Sequence, residues 1–292
     1  MNSKGQGFFK TLYVFGFVLL FTVVAALVLG SIYGGETGNV ALIKIEGEIT
    51  TSGDILSAGV TSDEIVNAVE DADANPDIQA IVFGINSPGG TIVATKEIVN
   101  AVKNANKPTV CWLRESAASG AYWVASACDK IVADEFTMTG SLGVTGSYLE
   151  FSGLFEKYGV SYVRIVSGGE KDIGTPFREP TAVEKAELQA MIDEIHDAFI
   201  ADVAKNRNIS VERVRQIANG SIFLGNKALE LGLVDKLGGK QEALDIAKEL
   251  ANITEVKVLE YKKEVSLSQL ASMFFGESLA KYFVSQNMKI QV

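Results

Sequence analysis

The chain has one histidine, His196, in 292 residues. The chain therefore has little imidazole to draw on for acid–base chemistry, and a lysine in its neutral form is the next candidate for any general base. His196 borders an apolar helical stripe and reads as a surface or packing residue. The two cysteines, Cys111 and Cys128, stand without C-x-x-C or H-E-x-x-H spacing around them, which excludes the usual zinc sites, and neither metal nor cofactor is expected. Each cysteine lies in an apolar stretch, with a strand and a helix between them, so both read as buried free thiols. Basic residues are in deficit, 26 Lys and Arg against 36 Asp and Glu, and the net charge of −10 argues against a nucleic-acid partner. There is no internal repeat and no low-complexity stretch.

What is present begins with a long apolar run. No charged residue occurs from Thr11 to Gly35, and Leu12 to Gly30 is apolar almost throughout. A helix of about 20 such residues spans a bilayer, whereas a cleaved signal peptide has an apolar region of about 7–15 residues and a small-residue cleavage site. The run is read as one N-terminal transmembrane helix over residues 11–35, after a cytoplasmic segment 1–10. Lys4 and Lys10 precede it and Glu36 follows, so the positive-inside rule leaves the N-terminus in the cytoplasm and the remainder of the chain outside.

Beyond the run, strand and helix signals alternate. Val40–Ile49, Ile78–Ile85, Thr109–Leu113 and Lys130–Ala133 are nearly continuous apolar runs. The helical stretches between them start at Ser62, read as an N-cap, at Thr91 and at Ser119. Strands of this kind imply an α/β fold with a parallel sheet buried on both faces. Past Gly140 the pattern turns helical. Thr181 and Glu184 make a capping box, and Leu188, Met191, Ile192, Ile195 and Phe199 form one stripe. Ser210–Ala218 reads as a short helix stopped by Asn219-Gly220, and Gly225–Leu231 as another ended by Gly232. Residues 36–254 are taken as the main domain. Residues 255–292 form an extension with a strand, Val256–Tyr261, and an amphipathic helix, Ser266–Gln286.

Candidate chemistry lies at strand ends. Asn86-Ser-Pro-Gly-Gly90 follows the second strand at the edge where open α/β sheets place their sites, and Gly90, without a Cβ, lets a backbone N–H face a developing oxyanion. Read alone, Pro-Gly-Gly is a tight turn. The next strand, Thr109–Leu113, ends at the same edge, and Ser119 would open the following helix, whose first N–H groups lack internal partners, so Gly120 could supply a second donor. Read alone, Ser119 is an N-cap. Lys171, in Gly168-Gly-Glu-Lys171-Asp-Ile, could act as a base if its flanking acids, Glu170 and Asp172, point to the opposite side of an extended segment. Ser141, in Thr139-Gly-Ser141-Leu-Gly143, is a hydroxyl that could orient it.

Taken together and in this order, these motifs closely resemble the signal peptide peptidase A family in its short, single-copy form, over about Val40 to Leu250 and including Leu229-Glu-Leu-Gly-Leu-Val-Asp235. The resemblance implies a Clp protease/crotonase-like parallel sheet with flanking helices. It implies Ser119 as nucleophile, Lys171 as general base, Ser141 as a hydrogen-bond partner of the lysine, and Gly90 and Gly120 as the oxyanion hole. It also implies peptide substrates, remnants of signal peptides, and a ring-shaped homo-oligomer in which the lysine reaches a neighbour's serine. Ala121 stands where a second glycine often follows the serine and would trim the pocket. Two other readings are a crotonase-like enzyme acting on acyl-CoA, which needs neither Ser119 nor Lys171, and a non-catalytic membrane scaffold.

Overall fold

The computed structural model describes residues 37–53 and 59–261, with residues 16, 19, 22 and 23. The expected span over 11–35, apart from those four residues, and the expected helix Ser266–Gln286 lie outside the described residues. Among the described residues no helix is long and apolar enough to cross a membrane. A compact unit begins at Asn39.

The strands are β1 (Val40–Glu46), β2 (Ile49–Thr50), β3 (Val60–Thr61), β4 (Ala80–Ser87), β5 (Thr109–Ala118), β6 (Lys130–Ala133), β7 (Met138–Gly140), β8 (Ile222–Leu224), β9 (Lys236–Leu237) and β10 (Val258–Tyr261). The main sheet runs β10-β1-β4-β5-β6-β9, and every pair along this path is parallel. β7 adds to the end of β5 in parallel and pairs with β8 antiparallel. β2 and β3 form a separate parallel pair.

The helices are α1 (Ser62–Ala74), α2 (Ile92–Asn104), α3 (Gly120–Ser126), α4 (Ser152–Lys157), α5 (Ala182–Arg207), α6 (Val211–Ile217), α7 (Gly225–Glu230) and α8 (Lys240–Leu250). Side chains alternate along each strand, so the continuous apolar runs serve two cores. Ala41, Ile43, Phe83 and Cys111 join the core that contains residues of α1, α2, α3 and α5. Val40, Leu42, Val82, Val110 and Val132 pack with Ala243, Leu244 and Ala247 of α8. The expected α/β fold with a parallel sheet and flanking helices is what the chain adopts.

Several local readings are corrected. The stretch Val40–Ile49 is not one strand: Gly47, at φ 76°, breaks it, and Ile49 leaves the main sheet. Thr61, not Ser62, caps α1. Its hydroxyl accepts from the Glu64 N–H (3.3 Å) while the Glu64 carboxylate accepts from the Thr61 N–H (3.1 Å). The two cysteines are not free thiols but a disulfide, with Cα atoms 6.0 Å apart. Strand β5 leads up to a sharp turn and α3 leads back beside it, and that return brings Cys128 level with Cys111. The capping box of Thr181 and Glu184 forms as read. Its helix is longer than the stripe suggested, and of the stripe only Phe199 is buried, while Met191 is 60% exposed.

Candidate active site

The turn between β5 and α3 carries Ser119, with φ 55° and ψ −125°. A residue with a Cβ rarely adopts this conformation, and such strain persists only where the surroundings enforce it. Three contacts do so. The Ser119 N–H donates to the Gly140 carbonyl (2.9 Å), the Trp123 N–H donates to the Ser119 carbonyl (3.0 Å), and β5 is held in register with β4 up to Ala117 and with β7 up to Ala118. The Ser119 side chain makes no capping hydrogen bond to α3, so the N-cap reading is set aside and the hydroxyl is left for other work. A serine raised on a strained strand-to-helix turn is the geometry of a nucleophile elbow.

Gly90 reaches the same spot from β4. Ile49 donates its N–H to the Gly89 carbonyl (2.9 Å) and accepts from the Thr91 N–H (2.8 Å), so Gly90 is bridged in parallel between them. In a parallel bridge of this kind the central residue's own N–H is not taken by the partner strand, so Ile49 leaves the Gly90 N–H unused. The backbones pass at contact distance: a Cβ built on Gly120 would lie 3.4 Å from the Gly90 nitrogen, and one built on Gly89 would lie 2.7 Å from the Gly120 nitrogen. Gly89 itself sits at φ 105°, a conformation that favours glycine. Gly120 opens α3, where N–H groups lack partners within the helix. Two backbone donors therefore flank the Ser119 turn.

A cavity of about 380 Å³ opens here, lined among others by Gly90, Ser119, Gly120, Trp123, Val144 and Phe199. Trp123 and Phe199 stack with centroids 4.3 Å apart. The Trp123 indole N–H donates to Asp202 (2.9 Å), which also pairs with Lys96 at 2.5 Å. Burial pushes the Asp202 carboxyl up, but the hydrogen bonds from Lys96 and Trp123 and the nearby lysine charges outweigh it and the net shift is downward. The apolar wall of the cavity is thus pinned from behind by an ion pair. Ala121 is fully buried and is not part of the wall, contrary to the expectation that it trims the pocket.

Ser141 directly follows Gly140, whose strand partner Ala118 is the residue before Ser119. Its φ is 50°, and its N–H donates to the Ser221 carbonyl (2.8 Å). Lys171 is elsewhere. It is exposed and does not line the cavity at Ser119. The segment around it is a run of turns, with N–H to carbonyl bonds from 171 to 168, 173 to 170 and 175 to 172, so the alternation assumed for an extended segment does not apply. Asp172, rather than Lys171, is the residue drawn inward: it pairs with Arg164 and Arg178. A single copy of the chain thus brings Ser119, Gly90 and Gly120 to one cavity, whereas neither Ser141 nor Lys171 is among its lining residues.

Sequence reasoning passed over Gly89, Thr95 and the Trp123–Phe199 wall. Thr95 is buried beneath the turn, its Oγ1 2.6 Å from where a Gly120 Cβ would be. Its signal was its place one turn into α2 after the Gly-Gly pair. Trp123 could have been found as the residue one turn after Ser119.

The layered parallel sheet with a serine elbow and paired N–H donors at its carboxyl edge defines a Clp-like α/β architecture. The Clp protease family model matches residues 42–134. The chain belongs to Peptidase family S49, whose model matches residues 101–254. Among curated relatives, a protein of Enterococcus faecium named "Putative signal peptide peptidase SppA" is 36% identical over 70% of this chain and 60% of its own length. A Methanocaldococcus jannaschii protein that bears the name "Putative protease" is 35% identical over 68% of this chain and 65% of its own. "Protease 4" of Haemophilus influenzae is 31% identical over 73% of this chain and 35% of its own. The chain thus spans less than two thirds of the length of these relatives. Among solved structures, a mutant of the 1510-N membrane-bound stomatin-specific protease superposes with a TM-score of 0.53 at 16% identity, covering 78% of this chain and 99% of its own, and this likeness concerns the fold.

Proposed function

We propose that the protein is a membrane-anchored serine endopeptidase that degrades cleaved signal peptides outside the cytoplasm, with Ser119 as nucleophile, Lys171 as general base and the N–H groups of Gly90 and Gly120 as the oxyanion hole. The observation that carries this reading is the strained Ser119 turn, its hydroxyl uncommitted to the helix and flanked by two backbone donors. Membership of Peptidase family S49 supports the reaction class. The name of the Enterococcus relative and the apolar cavity wall support an apolar peptide substrate. The uncharged run from Thr11 to Gly35 supports the anchor.

In this mechanism the Ser119 Oγ attacks the scissile carbonyl carbon as its proton passes to the neutral Lys171 amine. The carbonyl π electrons move to oxygen, and the oxyanion is held by the Gly90 and Gly120 N–H groups, already fixed by Ile49 and α3. Collapse breaks the C–N bond, and the amine leaves with the proton from Lys171. Water, deprotonated by the lysine, then attacks the acyl carbon, and collapse breaks the C–Oγ bond as the proton passes from Lys171 to Ser119, releasing the acid and restoring both groups. Ser141 orients the amine.

The exposed position of Lys171 supports a base supplied to a neighbouring copy in a ring-shaped homo-oligomer. The segment before it displays Leu149 (73% exposed), Tyr158 (70%) and Ile165 (91%), a density of exposed apolar side chains that calls for a protein surface to cover it. A head-to-tail interface that closes into a ring gives every serine a lysine. The test is labelling with a fluorophosphonate. The full chain is expected to be modified at Ser119 and the Ser119→Ala chain not at all; modification at another serine, or none in active rings, would overturn the assignment.

A further inference from the structure

Lys171 stands on a segment without strand or helix, between Gly168 at φ 93° and Gly174 at φ 78°. Turns of this kind do not by themselves aim a long side chain. The residue next to it is held firmly. The Asp172 carboxylate accepts from Arg164 Nε (2.9 Å) and Nη2 (2.7 Å) and from Arg178 Nε and Nη2 (both 3.1 Å). Arg164 also donates to the Gly169 carbonyl, on the other side of Lys171. Arg178 then bridges to Glu184, donating from Nη1 (2.9 Å) and Nη2. Glu184, 4% exposed, completes the capping box of α5 by accepting from the Thr181 N–H (2.7 Å). A continuous line of charge-assisted bonds thus runs from the start of a long helix to both sides of the lysine turn. Bidentate geometry of this kind fixes direction as well as distance.

The charge balance is equally specific. The carboxylates Asp172 and Glu184 face the guanidiniums Arg164 and Arg178, and these four groups sum to zero. Glu170, beside Lys171 in the chain, lies on the rim of the cleft shared with Arg164, Arg178 and Glu184, and Glu179 adjoins Arg178, which donates to its carbonyl. An amine that must lose its proton to act is hindered by an uncompensated carboxylate beside it. Here Asp172 is engaged on both flanks by arginine, which holds its carboxyl well below the usual range; Arg178 likewise draws Glu184 down to about 2.

We infer that Arg164, Asp172, Arg178 and Glu184 form a positioning latch for Lys171, which ties its turn to α5 and keeps the Asp172 charge occupied away from the amine. The inference rests on the reading of Lys171 as the base. It makes the four residues positioning groups, none of which touches the substrate.

The test uses substitutions of opposite charge in the full chain, with peptide hydrolysis followed across pH. Arg178→Gln leaves Asp172 under-compensated, so the acid limb of kcat/KM should move to higher pH, by about half a unit to one unit for a charge a few ångströms away. Asp172→Asn leaves two arginines beside the amine and should move the limb to lower pH by a similar amount. Both should lower kcat at the optimum about tenfold with little change in KM, since a misaimed base slows chemistry rather than binding. Arg178→Lys should recover the position of the limb but not the full rate, because a lysine keeps the charge and loses the fork. Arg164→Gln, on the exposed side of the cluster, serves as a second cation deletion should Arg178→Gln fail to fold, and should shift the limb in the same direction. Limbs that stay at the wild-type position, or that move the same way for the cationic and anionic deletions, would overturn the latch. Lys171→Ala separates the two layers: activity surviving in that chain defeats the reading beneath, whereas an inactive Lys171→Ala with unshifted latch variants defeats the latch alone.

Discussion

The strain at Ser119 can be measured apart from its chemistry. With φ 55° and ψ −125°, the serine occupies a region costly to any residue with a Cβ, on the order of 1–3 kcal/mol. Ser119→Ala and Ser119→Gly both remove the hydroxyl and should both abolish turnover, but only glycine relieves the strain. Glycine also enlarges the unfolded ensemble, at a cost of about 0.4–1 kcal/mol. The net expectation is that Ser119→Gly is more stable than Ser119→Ala by about 1 kcal/mol, which for a domain of this size raises Tm by about 2–4 °C. Comparing the two variants rather than each with wild type cancels the lost hydroxyl. Denaturant unfolding read by tryptophan fluorescence is a suitable assay because Trp123 lies one turn from the site, stacked on Phe199. A Ser119→Gly chain no more stable than Ser119→Ala would refute the claim that the native fold forces this backbone.

Three further outcomes follow from the same geometry. Gly120→Ala should lower kcat by roughly 100-fold through a displaced oxyanion donor, since its Cβ would meet Thr95 Oγ1 at 2.6 Å; the added substitution Thr95→Ala should restore part of the loss, and no rescue would exclude that clash as the cause. Replacing Cys111 and Cys128 by alanine opens a crosslink across 17 residues and should cost about 3 kcal/mol in unfolding free energy by the loop-entropy relation, whereas a change near zero would contradict a formed bond. Glu184, drawn from 4.5 to about 2 chiefly by Arg178, contributes stability that is complete above about pH 4.5 and lost as pH falls through 2; pepsin cleavage within residues 162–180 should therefore accelerate over that window, and in Arg178→Gln it should be fast already at pH 4.5.

The sheet was legible because parallel strands buried on both faces leave long apolar runs, as in Ile78–Ile85, and because the Gly90 and Ser119 motifs fall at the carboxyl ends of two such runs. What escaped depended on tertiary approach. Nothing local marks Gly47 as the point where Ile49 leaves the main sheet to hold Gly90. The pairing of Cys111 with Cys128 depends on how α3 folds back along β5, a distance that spacing alone does not fix. Alternation, which would aim Lys171 inward, holds for strands, but the chain there is a set of turns in which Arg164 and Arg178 bond to Asp172, a reach that could not be read from sequence. The stripe of α5 lies on a helix, yet periodicity does not say what covers it: only Phe199 is buried, and Met191 is exposed in a single copy.

The central claim is that a serine and a lysine, separated within one copy, make one site between two. Chains carrying Ser119→Ala and chains carrying Lys171→Ala, each inactive alone, can be co-folded in equal amounts. A shared site should recover about a quarter of wild-type activity, the chance that an intact serine meets an intact lysine under random closure. No recovery in verified mixed rings would contradict it, because a site formed within one copy finds no chain in the mixture that carries both groups.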